Sequence, residues 1–253
     1  MFQRIFQLFK IARNLSTSGA ISTINQMHSL PLPVILVFNC LSIGSSAKPL
    51  DNKKSPGEKL CSALQGMGTT FIKLGQFLAT RPDIIGDEMA KDLEKLQDKV
   101  PAFALYEAKR IIKKEIGESQ FKNILEISEP IAAASIAQVH IAKIKNENEN
   151  KEVAIKILRP EIEKLFNLEL DALMLFAYII ENIFSKAKRL KLVEVVYLLR
   201  EITNIEMDLR FEAAAANELY ENTKNDKGFN VPKIYWNYTT KKVLTLDKVD
   251  GIS

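Results

Sequence analysis

The stretch EVAIKI, residues 152–157, has the form of a β-strand that carries a single lysine to a nucleotide phosphate. Because strand side chains alternate, Val153 and Ile155 are predicted to face one side of a sheet, and Ala154 and Lys156 the other. A strand lysine is usually only solvated, and V-A-I-K by itself is a weak signal of nucleotide binding. What precedes and follows Lys156 must therefore decide its chemistry.

A kinase-type nucleotide site places a strand–loop–strand hairpin before the lysine and a glutamate-bearing helix after it. The hairpin is predicted here, with the loop PIAAASIAQVH (130–140) carrying alanines where a kinase has glycines. The helix is predicted over 201–220 and offers Glu206 and Glu212. A lysine–glutamate pair fixes the ammonium group over the α- and β-phosphates, so Lys156 and these glutamates are candidate phosphate-binding residues.

Each of these features also has a plainer interpretation. The alanines of the loop are equally typical of a close-packing spot between elements. The acidic residues of 201–220, which include Asp208, could form a solvated helical face. On such a face Glu206 and Arg210 would make an i,i+4 pair worth about 0.3 kcal/mol. The residues alone leave both alternatives open.

Other kinds of site are poorly supported by composition. The chain has 253 residues, 47% hydrophobic and 26% charged, with a net charge of +4 spread along it. This is ordinary globular composition and lacks the concentrated basic patch of a nucleic-acid-binding protein, so no nucleic-acid partner is predicted. The cysteines Cys40 and Cys61 and the histidines His28 and His140 form no metal-spaced cluster, so neither a zinc site nor a Cys/His catalytic pair is predicted.

The elements that must position these residues follow an α+β order. Helical periodicity runs from 57 to about 120, and short β-branched runs follow from 121, with KNENENK as a hairpin tip. Two long helical stretches are predicted at 161–189 and 191–222. Strand-like runs then follow in KIYWNY and KKVLTLDKV. The prediction is a small antiparallel sheet with a long helix against it, preceded by a helical extension.

The N-terminal region, 1–54, is predicted to be a separate helical segment. The first 15 residues form an amphipathic helix that could lie on a membrane surface or pack on the protein itself. The apolar run 30–44 is shorter than the roughly 20 residues needed to cross a bilayer, so a buried or interfacial helix is predicted. The polar stretch 44–59 is predicted to be a loop.

Four motifs, in order along the chain, resemble those of the UbiB family of atypical kinase-like proteins. The segment 71–103, which begins FIKLGQ, is similar to the K-x-G-Q signature region of that family. PIAAASIAQVH is similar to its alanine-rich loop, EVAIKILRP to its lysine strand, and EMDLRFEAAAAN to its glutamate helix. The resemblance covers about 55–253 and implies a protein-kinase-like N-lobe over 121–253, with a K-x-G-Q helical extension over 55–120.

The resemblance implies a role for each matching residue. Lys156 would contact nucleotide phosphates and pair with Glu212. Glu206 would hold the helical extension through Lys73. The remaining residues fall into three groups: Lys73 and Gln76 would project into the nucleotide cleft, Ala132, Ala133, Ala134 and Ser135 would cover the phosphates, and Leu246, Asp247, Lys248 and Val249 would form the hinge that receives adenine.

The resemblance also implies an activity. Family members look like ATPases or small-molecule kinases associated with ubiquinone biosynthesis and with membranes that carry its lipid intermediates. The implied cofactor is ATP or ADP, with Mg²⁺ expected only together with the catalytic lobe. A cytoplasmic protein is predicted, peripheral on the inner membrane if the N-terminal helix binds lipid.

The catalytic aspartate and the magnesium-binding residues of the family follow the hinge, whereas this sequence stops at Ser253. We therefore expect no appreciable ATPase activity from this polypeptide alone. One interpretation is the N-terminal portion of a UbiB-type protein whose C-lobe is encoded separately or lost, with that lobe and other ubiquinone-biosynthesis proteins as partners. The alternative is a truncated, non-catalytic module that binds lipid or protein. An unrelated helical protein with coincidental motifs is a third.

Overall fold

A computed structural model describes residues 2–17, 55–96, 100–145, 150–183 and 185–250. The apolar run 30–44 and most of the predicted hairpin tip lie outside the described residues. Contacts divide the chain into two compact units, one of residues 1–98 with 164–200 and one of residues 99–163 with 201–253. The units interleave along the sequence, whereas the predicted domains were consecutive ranges.

The described elements alternate between helices and one sheet. In chain order they are α1 (Phe2–Thr17), α2 (Pro56–Met67), α3 (Thr69–Ala79), α4 (Pro82–Ile85), α5 (Asp87–Leu93), α6 (Leu105–Ile116), α7 (Glu118–Phe121), β1 (Ile124–Ala133), β2 (Ala137–Ile144), β3 (Lys151–Leu158), α8 (Ile162–Ile183), a 3₁₀ helix (Ser185–Leu190), α9 (Leu192–Glu206), α10 (Leu209–Thr223), a second 3₁₀ helix (Trp236–Tyr238) and β4 (Val243–Asp247).

The first unit is helical, and its α2 begins with a complete capping box. The Ser55 hydroxyl accepts from the Glu58 amide at 3.1 Å, and the Glu58 carboxylate accepts from the Ser55 amide at 3.0 Å. Proline at the first helical position then fits because its missing N–H would have no partner there. The helix therefore begins at Pro56, inside the stretch predicted as a loop over 44–59.

The helix α3 packs against α2 and α5 at a glycine. A Cβ atom built on Gly75 would overlap the side chains of Leu96 and Leu64, both of which are buried. The close approach of these helices thus requires a residue without a side chain at position 75. The K-x-G-Q motif has a structural reason for its glycine.

The second unit contains a four-stranded antiparallel sheet in the order β1-β2-β3-β4. The predicted alternation in β3 is confirmed, because Val153, Ile155 and Ile157 are fully buried while Lys156 is half-exposed. Helix α6 covers the buried face of the sheet with Ala108, Ile112 and their neighbours. The protein-kinase-like N-lobe predicted for this region matches this sheet and its helices.

Two predicted elements are wrong in detail. KIYWNY is not a strand: Ile234 makes a single bridge to Leu246, and Trp236–Tyr238 form a 3₁₀ turn that buries Tyr238 in the core beneath the sheet. The predicted helix 201–220 is two helices, because the chain breaks after Glu206 and restarts at Leu209. Asp208 causes the restart, since its carboxylate accepts from the Arg210 amide at 3.1 Å and caps α10.

The N-terminal helix α1 is present as predicted. Ile11 is buried and the Gln7 side chain donates to Glu169 of α8 at 3.4 Å, so one side of α1 packs within the first unit. Phe6 and Phe9 are exposed. Within the described residues, no helix is both long enough and apolar enough to cross a bilayer.

Candidate functional site

Lys156 lies in a row of residues that crosses the sheet of the second unit. The strand register places Ala132 opposite Val139, Val139 opposite Lys156 and Lys156 opposite Leu244. Directly opposed residues in antiparallel strands point to the same face. The alanine-rich segment, the lysine and the last strand are thus brought side by side on one surface, as the lysine-strand hypothesis requires.

Part of this surface of the sheet is apolar and half-buried, whereas Leu244, opposite Lys156, and Leu158 are buried. We call it the open face and define it by the half-buried side chains of Val139, Ile141, Ala154 and Leu246, which the register places together next to Lys156. The opposite face is largely buried, and α6 packs against it. Apolar side chains beside a cation suit a ligand that joins an aromatic ring to an anion.

Lys156 is held by Glu212 in the first turn of α10. Its Nζ atom lies 2.8 Å from Oε1 and 2.7 Å from Oε2, so the ammonium group donates to both carboxylate oxygens. The Lys156 side chain is 29% exposed and that of Glu212 is 48% exposed. A pair this open contributes only about 0–1 kcal/mol to stability. It therefore orients the lysine while leaving it within reach of a ligand.

The position of Glu212 depends on the break between α9 and α10. Asp208 holds the Arg210 guanidinium through a bond of 2.6 Å, which lowers the pKa of the Asp208 carboxyl and occupies the arginine. The Leu209 amide donates to the Lys241 carbonyl at 2.9 Å and attaches the start of α10 to the start of β4. The alternative in which Glu206 and Arg210 pair along one continuous helix is therefore wrong. The described pairing is the Lys156–Glu212 pair that the resemblance implied.

The alanine-rich segment is divided by the fold. Ala132 and Ala133 end β1, with Ala132 exposed, and Ala134 begins a turn that is closed by its amide donating to the Ala137 carbonyl at 2.8 Å. Ala132 is exposed whereas Ile136 and Ala137 are buried, so both interpretations stay open and the cover over the phosphates stays a prediction. Ser135 is fully buried, and its hydroxyl has no hydrogen-bond partner among the described residues.

The hinge residues lie at the end of β4. Leu246 belongs to the open face, and Val249 is exposed. Asp247 is already engaged: its amide donates to the Lys233 carbonyl at 2.9 Å, and its carboxylate accepts from the Tyr235 hydroxyl at 2.7 Å. Burial alone would raise the pKa of Asp247, but the Tyr235 hydrogen bond, together with Lys151, outweighs it and lowers the pKa.

Lys248, the lysine of the hinge, also has partners within the second unit. The Lys248 ammonium group contacts the Glu152 carboxylate at 2.9 Å and that of Asp250 at 3.4 Å. Part of the hinge backbone is engaged as well, since Leu246 pairs with Ala154 of β3 and bridges to Ile234. Binding of adenine by the hinge backbone stays a prediction.

Lys73 and Gln76 lie on α3 of the first unit, one helical turn apart and both half-buried, with Gly75 between them. Glu206 is the last residue of α9 and is half-buried. The hypothesis that Lys73 and Gln76 enter the cleft of Lys156, with Glu206 holding the extension, joins two separate units and stays a prediction.

Sequence reasoning missed a buried polar network on the other face of the sheet. The Gln138 side chain accepts from the Phe103 amide at 2.9 Å and donates to the Phe103 carbonyl at 3.1 Å. His140 lies 2.8 Å from both Gln138 Nε2 and the Ser128 carbonyl. Because a carbonyl only accepts, His140 Nδ1 carries the proton and Nε2 accepts. The signal in the sequence was two polar residues, Gln138 and His140, two positions apart on the side of a strand that faces the core.

Two cavities of the described residues are not lined by Lys156. One of about 460 Å³ lies beside Trp236 and Tyr238, and an entirely apolar one of about 290 Å³ lies within the first unit. The candidate site is therefore defined by the Lys156–Glu212 pair and the strand register rather than by either cavity. In the part of the chain that the structure describes, no three acidic, histidine or cysteine side chains are grouped so as to hold a metal ion.

The chain is similar to one known protein family. A family model described as the ABC1 atypical kinase-like domain matches residues 95–253. "Probable protein kinase UbiB" of Marinobacter nauticus is 37% identical over 250 residues, which are 98% of this chain and 44% of that protein. The proteins of the same name from Cellvibrio japonicus and Pseudomonas aeruginosa LESB58 are each 38% identical over 199 residues, 78% of this chain and 36% of theirs. The chain thus spans less than half the length of these curated relatives.

Proposed function

Because the chain belongs to the UbiB family of atypical kinase-like proteins, we propose that the open face of its sheet binds an adenine nucleotide, ATP or ADP. The single observation that carries the proposal is the Lys156–Glu212 pair, which sets an oriented ammonium group beside half-exposed apolar strands. A kinase-like family uses nucleotides, and this pair is the arrangement that places a lysine on nucleotide phosphates.

Each part of the open face takes one part of the nucleotide. Lys156 contacts the α- and β-phosphates, and Ala132, Ala133 and Ala134 cover them. The apolar residues Ala154 and Leu246, which lie opposite each other on neighbouring strands, receive the adenine ring. Alanine does not adopt the left-handed backbone conformations of glycine, so this cover is stiffer than a glycine-rich loop.

We further propose that the whole protein acts as an atypical kinase or ATPase in ubiquinone biosynthesis, with Mg²⁺ brought in alongside the nucleotide. The described residues contain no cluster suited to hold that ion, and no step through it is assigned to them. The function proposed for these 253 residues is nucleotide binding.

Calorimetric titration of the 253-residue chain with ATP and with ADP tests the proposal. Losing a charge-assisted hydrogen bond costs about 1.5–3 kcal/mol, so Lys156→Met is expected to weaken ATP binding by about 10- to 100-fold. Lys113→Met is the matched control, because Lys113 also forms an ion pair, at 3.0 Å to Glu118, but lies on α6, which covers the buried face. Its affinity for ATP is expected to be unchanged. Equal affinities of the unsubstituted chain and Lys156→Met would remove Lys156 from the site.

A further inference from the structure

Arg159, the arginine of the lysine-strand motif EVAIKILRP, is a half-buried cation to which the resemblance gives no role. It follows β3 directly and lies three residues after Lys156. Burial lowers its pKa from the ordinary arginine value. Among the described residues no carboxylate pairs with it, and the centroid of the Phe103 ring lies 6.0 Å from its guanidinium carbon. Burying a charge in this way is costly unless it is fully hydrogen-bonded, so its partners are informative.

Those partners are backbone carbonyl oxygens of two other segments. Nε and Nη2 both donate to Ala134, at 3.0 and 2.8 Å, in the turn that ends the alanine-rich segment. Nη1 donates to Pro101 at 2.8 Å and Nη2 to Val100 at 3.1 Å. The Arg159 amide also donates to the Ile136 carbonyl at 2.8 Å. One residue therefore joins the turn, the segment before α6 and the end of the lysine strand.

The side chains of the turn itself form no hydrogen bonds to the segment before α6. Alanine side chains form no hydrogen bonds, and the Ser135 hydroxyl has no partner among the described residues. Gln138, at the far side of the turn, is fixed to Phe103 by two hydrogen bonds and so reaches the same segment as Arg159. Arg159 and Gln138 thus hold the two sides of the turn to residues 100–103.

We propose that Arg159 is a positioning residue of the nucleotide site, which sets the height of Ala132–Ala134 above Lys156. The inference rests on the proposed function and deepens it. The turn closes β1 and β2 at one edge of the sheet, whereas the hinge lies at the end of β4 at the other edge, and the register places the two at opposite ends of the strands. Arg159 therefore acts on the phosphate end of the nucleotide and not on its adenine end.

Titration with ATP and with adenosine distinguishes an effect on the phosphate end of the nucleotide from an effect on its adenine end. Arg159→Met is expected to weaken ATP binding about 10-fold, by analogy with the loss of a charge-assisted contact, and to leave adenosine binding within about twofold. Arg159→Lys keeps the charge but has no planar fork to reach three carbonyls, so an intermediate loss is expected. The control is Arg110→Met, because Arg110 is an exposed arginine on α6 paired with Glu107 at 3.0 Å; both affinities should stay unchanged.

Backbone dynamics test the same role without nucleotide. In the unsubstituted chain the amide order parameters of Ala133 and Ala134 are expected near the rigid value of about 0.85, and in Arg159→Met below about 0.6. If Arg159→Met does not fold, Arg159→Lys serves for both measurements. Unchanged order parameters, or equal losses for ATP and adenosine, would overturn the positioning role.

Failure of the proposed function looks different. It would appear as an absence of ATP binding to the unsubstituted chain, before any variant is compared. That result overturns the nucleotide site and the positioning role with it.

Discussion

At the scale of single residues, the Lys156–Glu212 pair is better explained by binding than by stability. The pair is bidentate, with both distances below 2.9 Å, yet about half of the glutamate side chain is exposed. Exposed ion pairs contribute about 0–1 kcal/mol, whereas a charge-assisted contact to a bound phosphate is worth about 1.5–3 kcal/mol. The contact to phosphate, which is the larger contribution, forms only when a ligand is bound.

His140 makes stability depend on pH. Burial lowers its pKa below the ordinary value of 6.5, against smaller opposing effects of the Ser128 carbonyl and Glu129. A depressed histidine pKa stabilises the folded chain fully above about pH 6.5, and that contribution is lost as the pH falls, because the unfolded chain takes up the proton first. The expected loss is at most about 1.4 kcal/mol for each pH unit below 6.5.

Chemical denaturation between pH 7.5 and 5.5 measures this loss, and His140→Gln should lack it. The ring-proton resonances of His140 give an independent check, since they should titrate below 6.5. Protonation of His140 in the folded chain at or above pH 6.5 would contradict the assignment of Nε2 as an acceptor from Gln138.

At the scale of elements, the K-x-G-Q helix depends on close packing at Gly75. Gly75→Ala is expected to destabilise the chain by about 1–3 kcal/mol, because the new methyl group overlaps the buried side chains of Leu96 and Leu64. Gly66→Ala is the matched control: Gly66 lies in the last turn of α2 with no atom within 4 Å of a new Cβ. There alanine should stabilise the helix by up to about 1 kcal/mol.

Thermal and urea unfolding of the two glycine variants distinguish packing from helix propensity. Opposite signs are expected, with the midpoint lowered for Gly75→Ala and raised or unchanged for Gly66→Ala. A Gly75→Ala chain as stable as the original would show that Leu96 and Leu64 can move aside at no cost.

The elements that could be predicted from sequence are those specified by local pattern. The lysine strand and its hairpin could be predicted because Val153, Ile155 and Ile157 alternate with other residues and a polar run follows β2. The structure buries these three side chains on one face. The break between α9 and α10 was missed, because its cause is a cap: Asp208 follows Glu206 inside an otherwise helical pattern.

The missed parts of the site are long-range contacts. Arg159 bonds to carbonyl groups 25 and 58 residues earlier in the chain, and such partners have no periodicity to reveal them. Likewise KIYWNY has strand composition, but burial of Tyr238 beneath the sheet bends it into a turn, which is tertiary packing overriding propensity. The Lys156–Glu212 pair was reached because the resemblance supplied the partner.

At the scale of the whole molecule, two interleaved units divide the proposed roles. The sheet unit carries Lys156, Glu212 and the open face, and the helical unit carries Lys73 and Gln76. The curated relatives are more than twice as long as this chain, so the proposed phosphoryl-transfer activity belongs to the whole protein. Nucleotide binding is the function that we propose for these 253 residues alone.

Hydrogen exchange of the 253-residue chain with and without saturating ADP tests the central proposal most directly, because it maps the ligand along the whole sequence. ADP is expected to slow exchange at residues 132–137, which end β1 and form its turn, and at the hinge residues 246–249, with no change in α6 on the buried side of the sheet. Slowed exchange confined to α6 or to the helices of the first unit, or none at saturating ADP, would contradict binding on the open face.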